Sequence, residues 1–171
     1  MKIYTTYKVK IKHYNHILKD TITIYRHAVD YLITVCDEYW EQIDQLEGSF
    51  DKQKFVETLI HVTKDNPNPT YDFDSKFYKM PSYMRRSAIN EAIGDVSSYK
   101  SNLARWNQNP VGRGPSKPKA GLTFPSMYRK NMYNQLGDYK AQIKIYIRNT
   151  WDLLTIDLSK SYMVYIYEHF R

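Results

Sequence analysis

The sequence predicts an α+β fold, a small wedge-like β-barrel interrupted by an inserted helical subdomain of about three helices. Three observations lead there. Apolar residues recur at every second position at the start of the chain and again between residues 139 and 158, the period of a half-buried strand. Between those stretches the apolar spacing alternates between threes and fours, the period of a helix. The two kinds of pattern follow one another as β, α, β, so a first strand that shares a sheet with the last ones leaves the helices as an insert.

The opening residues Ile3, Thr5, Tyr7, Val9 and Ile11 alternate with Tyr4, Thr6, Lys8, Lys10 and Lys12, giving a strand with one apolar face and one lysine ladder. Such lysines either guard a sheet edge against mispairing or follow a phosphate backbone. From Asn15 the period lengthens. Leu18, Ile22, Tyr25, Val29, Leu32, Cys36, Tyr39, Ile43 and Leu46 fall on one stripe of a long helix, with Cys36 read as a small buried hydrophobe. Gly48 and Ser49 end it, and Phe55, Leu59 and Val62 mark a second helix expected to fold back on the first as an antiparallel hairpin. Asp65-Asn66-Pro67-Asn68-Pro69 stops that helix, because proline has no amide donor and restrains the residue before it. A loop through Tyr71, Phe73, Phe77 and Tyr78 leads to Met80-Pro81 and a third helix, with Ser82 as its expected cap and Ile89, Ala92, Val96, Tyr99, Leu103 and Trp106 as its stripe.

Asn107 to Gly121 holds three Pro and three Gly, with Arg113, Lys117 and Lys119 as its only charges, and reads as a basic connector without regular structure. The strand period then returns. Tyr139, Ala141, Ile143, Ile145 and Ile147 alternate with Lys140, Gln142, Lys144, Tyr146 and Arg148, a turn is expected at Asn149-Thr150, and Leu154, Ile156 and Leu158 mark the next strand. Ser159 is placed to cap a last helix containing Tyr162, Met163, Tyr165, Ile166 and Phe170, and the stop at Arg171 inside this apolar pattern is read as a truncation. The expected organisation is a discontinuous barrel from residues 1–12 and 122–158, a helical insert over 13–109, the connector over 110–121 and the start of a truncated helix over 159–171.

The 171 residues carry 25 Lys and Arg against 18 Asp and Glu, and the excess is unevenly placed. Residues 1–12 hold four lysines and no acid, residues 13–75 hold five basic and twelve acidic side chains, and residues 76–149 hold fourteen basic and three acidic ones. Clustered cations with few acids nearby suit a polyanion, so this partition favours a nucleic-acid partner over a merely solubilising charge. A chain of this length buries a core without a disulfide or metal staple. The lone Cys36 has no partner for either. No apolar run approaches the ~20 residues of a membrane helix, and the start lacks the apolar stretch of a signal peptide, so a cytoplasmic protein is expected.

Catalytic and metal chemistry find no footing. The five histidines are scattered, and His13 and His16, three apart, have no evident third ligand. Asp72 and Asp74 read as turn and cap residues rather than as a magnesium pair. Nucleophile-elbow, phosphate-loop and dinucleotide-binding motifs are missing from the sequence. No catalytic residue, metal or cofactor is therefore expected.

Met80-Pro81-Ser82-Tyr83-Met84-Arg85-Arg86-Ser87-Ala88-Ile89-Asn90-Glu91-Ala92-Ile93-Gly94, followed by Ser97-Ser98-Tyr99 and by Leu122-Thr123-Phe124-Pro125, resembles the N-terminal half of TnpB proteins, the OrfB-type transposases of bacterial insertion sequences, clostridial-type members in particular. The early Tyr7-Lys8-Val9-Lys10-Ile11 strand, Val29-Asp30-Tyr31 in the long helix and the late Ile143-Lys144-Ile145 strand follow in the order of that family. The resemblance implies a wedge barrel with a helical recognition insert, a guide RNA and target DNA as partners, and a RuvC nuclease domain that this chain stops short of. Nuclease activity is accordingly not expected. It also implies that Tyr162, Ile166 and Phe170 meet a missing nuclease half or another chain.

Within such a clamp the protein holds nucleic acid by backbone shape and charge. The expected contact group is Arg85, Arg86, Lys100, Arg105, Arg113, Lys117, Lys119, Lys140, Lys144 and Arg148, joined by Lys8, Lys10 and Lys12 if the first strand enters the same sheet. Two other classes fit the same features. A helix-turn-helix in the insert would read duplex DNA without RNA, and an inactive transposase remnant would bind no nucleic acid and self-associate through its last apolar segment.

Overall fold

The computed structural model describes residues 10–13, 16–127, 131–137 and 139–159. Among these residues it is α+β, with five helices and one three-stranded antiparallel sheet. The chain divides into two units, one formed by Met1–Lys19 with Met127–Arg171 and the other by Asp20–Ser126. Among the described residues the sheet is open rather than a barrel.

The helical unit is built around α1 (Ile17–Glu38). Its stripe is broader than the spacing predicts: Ala28, Ile33 and Val35 are buried beside Tyr25, Val29, Leu32 and Cys36, so the helix meets neighbours on more than one side. The expected continuation to Leu46 is interrupted at Tyr39, whose φ of −101° and ψ of 21° separate a short α2 (Trp40–Asp44). Helix α3 (Ser49–Ile60) buries Val56 and Ile60, whereas Val62 lies beyond its end and is exposed. A short α4 (Phe73–Lys76) occupies what reads in the sequence as loop, and α5 (Ser82–Gln108) begins with Pro81, not Ser82, at the cap position. Arg85 N–H closes the first turn of α5 on the Pro81 carbonyl at 2.9 Å.

Helix α3 packs on both α2 and α5. Met84, Ala88, Ile89, Ala92 and Val96 of α5 are fully buried, while Gly94 faces open space. The small residues of α5 therefore divide between a packed face, where Ala88 and Ala92 sit, and an open one. The Tyr25 hydroxyl of α1 donates to Glu91 Oε2 of α5 at 2.7 Å. Around α4 the aromatic rings of Tyr31, Tyr39, Phe55, Tyr71, Phe73 and Phe77 form a continuous set of edge and tilted contacts, with centroids 4.6 to 6.4 Å apart. Burial and the neighbouring Glu38 push the Tyr71 hydroxyl well above the usual tyrosine range.

The other unit carries β1 (Tyr133–Gly137), β2 (Lys140–Ile147) and β3 (Thr150–Asp157), paired in that order. Ala141, Ile143 and Ile145 of β2 are buried on one face, and Lys140, Gln142, Lys144 and Tyr146 alternate on the other. The β2–β3 turn is Arg148-Asn149, one residue earlier than expected, with φ of +50° and +59°, the type I′ geometry that suits the twist of a two-residue hairpin. Strand β1 is irregular, with a register shift between Gln135 and Gly137, where Gly137 adopts φ of +84°. Ile11 bridges Leu158 in antiparallel sense, and the Lys12 N–H and Lys10 carbonyl bond the backbone of Asp157 and Ser159 at 2.8 and 3.0 Å.

Candidate nucleic-acid interface

The two units contain similar numbers of cations but differ in their counter-ions. Asp20–Ser126 carries thirteen Lys and Arg against fourteen Asp and Glu, a balance of −1, whereas Met1–Lys19 with Met127–Arg171 carries twelve against four, a balance of +8. The basic excess of the chain therefore belongs to the sheet unit.

In the helical unit much of the basic run of α5 and the connector is neutralised by acids that precede it in the chain. Arg85 is only 6% exposed, and its Nη2 lies 2.9 Å from Glu57 Oε1, with Asp74 at 3.9 Å. A guanidinium held this way is part of the α3–α5 packing, with its charge already met by carboxylates. Arg86 reaches the same Glu57 oxygen at 3.3 Å and lies over the Tyr83 ring. Lys100 and Lys117 converge on Asp37 of α1, at 2.6 Å and 3.0 Å. These two ammonium groups hold the Asp37 carboxyl below the usual carboxylate range. Arg105, Arg113 and Lys119 are exposed.

The connector has no regular structure, but it is fastened to the helices. The Ala120 N–H donates to Asp30 Oδ1 at 2.7 Å, Lys117 is clipped to Asp37, and Gly114 lies beside the Trp106 indole. A shallow cleft beneath this strap is lined by Arg26, Asp30, Ile33, Thr34, Asp37 and Lys117. Asp74, one of the two acids considered for magnesium, accepts from His61 Nδ1 at 2.7 Å and from the Val62 N–H at 2.9 Å, and Asp72 bonds the Ser75 hydroxyl. Among the described residues no group of three His, Cys, Asp or Glu is arranged to hold a metal ion.

The remaining expected contacts lie in the sheet unit. Lys140 and Lys144 share one face of β2, Arg148 sits in the turn at its end, and Lys10 and Lys12 are exposed where the chain runs beside Asp157 and Ser159. Ile11 makes one isolated bridge, to Leu158 just beyond β3, and is not part of a strand of the three-stranded sheet; Lys8, Tyr162, Ile166 and Phe170 lie outside the described residues. On the lysine face the cross-strand partners are Asp157 for Lys140, Leu153 for Lys144 and Trp151 for Tyr146. The Tyr146 and Trp151 rings stand 5.2 Å apart, an aromatic pair that the alternating pattern of β2 alone does not reveal.

Residues 5–147 match the Aq_aa04 family, and the chain belongs to that family. A relative from Aquifex aeolicus (strain VF5), the uncharacterized protein aq_aa04, is 40% identical over 81 residues, which is 47% of this chain and 44% of the relative. The chain thus aligns with less than half of that relative's length. No solved structure matches. No helix among the described residues is long and apolar enough to cross a membrane.

Proposed function

We propose that the chain is a nucleic-acid-binding protein without catalytic chemistry of its own, and that its contact surface is the sheet unit. The observation that supports this reading is the uneven compensation of charge, +8 for the sheet unit against −1 for the helical unit. Phosphates are drawn to cations whose field is not cancelled at close range. Lys144, on the face opposite the buried Ala141, Ile143 and Ile145 and across from Leu153, meets that condition better than Arg85 or Lys100, whereas Lys140 has Asp157 across from it.

The narrower form of the proposal is a TnpB-like fragment that holds guide RNA and target DNA, and it is supported by the sequence resemblance centred on Met80–Gly94. Neither the family name nor the relative's name states an activity. Closure of the sheet into a wedge barrel belongs to this narrower form, and the Ile11–Leu158 bridge is the observation in its favour.

The test is purification at moderate salt, extraction of whatever co-purifies, and binding of RNA and duplex DNA across a salt series. A discrete RNA removed by RNase supports the guide-binding form, and salt-dependent affinity lost in K140E/K144E/R148E supports the general one. A preference for one duplex sequence, indifferent to RNase, would move the reading to a helix-turn-helix. A protein free of nucleic acid and without salt-dependent affinity would overturn the proposal.

A further inference from the structure

The β2–β3 hairpin gathers aromatic and basic side chains at its tip. Tyr146 and Trp151 are directly opposed, 5.2 Å apart and tilted by 57°, and the next pair along the same face is Lys144 with an exposed Leu153. Arg148 occupies the first position of the turn. Asp157 lies at the far end of β3 opposite Lys140, and Asp152 alternates to the other face, where its carboxylate accepts the Leu153 N–H at 2.7 Å. The face is therefore basic and aromatic at the turn and acidic only at its distant end.

The backbone adds an independent observation. Arg148 adopts φ of +50°, a left-handed conformation that costs any residue with a Cβ and that glycine or asparagine accepts more readily. Lys79, Tyr139 and Asn149 share this conformation, and the Arg148 side chain is exposed at the turn.

We propose that the hairpin tip binds an unpaired base of a single-stranded nucleic acid. The base stacks on the Tyr146–Trp151 pair, and Lys144 and Arg148 hold the flanking phosphates. This inference deepens the proposed function and rests on it. In a duplex the bases are already stacked and paired, so an aromatic pair on a sheet has a π-face to engage only when the base is unpaired. Cations alone would not favour a single strand, because the duplex carries the denser phosphate charge. The shared chemistry of RNA and DNA single strands suffices for the stack, and only the 2′-hydroxyl tells them apart.

The experiment is fluorescence anisotropy of labelled oligo-U, oligo-dT and a duplex of equal length with the full chain, its Y146L/W151L variant and its Y146F/W151F variant. Leucine keeps apolar bulk at the hairpin while removing the π-faces, and phenylalanine keeps both. The expected result is a loss of about 10-fold or more in single-strand affinity for the leucine variant, unchanged duplex affinity, and retention by the phenylalanine variant. Preference for oligo-U over oligo-dT would assign RNA, and equal affinity would assign single strands of either kind. The inference is overturned if the leucine variant binds single strands as the parent does, or loses single and double strands equally while far-UV circular dichroism shows it folded. If the parent protein binds none of the three probes, the proposed function itself has failed.

Discussion

The helical unit and the sheet unit carry thirteen and twelve basic side chains, yet the first is opposed by fourteen acids and the second by four. In the sequence the basic stretch of α5 and the connector looks the more conspicuous of the two. In three dimensions it faces Glu57 and Asp37, which belong to the acidic stretch that precedes it. Opposite charges on adjoining segments of one chain are as well suited to each other as to a partner, and contact decides between the two. The sheet unit supplies only four carboxylates for its twelve cations.

That contrast can be broken at Glu57. Glu57→Ala leaves the buried Arg85 with only the more distant Asp74 at 3.9 Å, and removal of one member of a buried ion pair costs up to about 3–5 kcal/mol. Thermal unfolding of the variant should show a drop of several degrees or more, and an unchanged midpoint would mean that Arg85 is not neutralised by Glu57. Charge reversal sharpens the comparison at the next level. K140E/K144E/R148E should lower nucleic-acid affinity by about 30-fold or more and reduce the single-strand salt slope by about 2, whereas R105E/R113E/K119E should leave both within roughly a factor of three. Equal losses from the two triples would erase the distinction between the units.

Smaller effects are expected at the strap. Because Lys100 and Lys117 lower the Asp37 carboxyl, the clip contributes stability at neutral pH and loses it as the pH falls through the lowered value, below the ordinary carboxylate range near ~4. Asp37→Asn should cost no more than about 1 kcal/mol at neutral pH, make no difference in strong acid, and speed tryptic cleavage after Lys119. The smallest effect is a gain. Arg148→Asn relaxes the left-handed turn and should raise stability by about 1 kcal/mol or less while weakening single-strand binding, seen as an increased melting temperature beside a reduced affinity.

The long helix and two of the three strands were legible because burial imposes a period on them: Leu18 to Cys36 at helical spacing, and Ala141, Ile143, Ile145 and Ile156 at strand spacing. Strand β1 was not, since Tyr133-Asn134-Gln135-Leu136-Gly137 has little alternation and is held by its neighbour and a bulge rather than by an apolar face. Helix α4, at four residues, is too short to express a period. The candidate site was legible as a list of cations but not as a surface. Arg85 and Glu57 are 28 positions apart and Lys117 and Asp37 are 80 apart, and nothing in local spacing says which carboxylate an arginine or lysine will find. The Tyr146–Trp151 pair was hidden for a related reason, because it depends on cross-strand register, which the turn at Arg148-Asn149 sets.

Cys36 is fully buried within the α1 stripe, and burial pushes its thiol up to about 12. As the one cysteine in 171 residues, it leaves the protein silent toward maleimides and other thiol-directed reagents at neutral pH. A cysteine substituted at an exposed position of either unit thus becomes a unique attachment point, and fluorophores or cross-linkers can be placed one at a time without first removing the native sulfur.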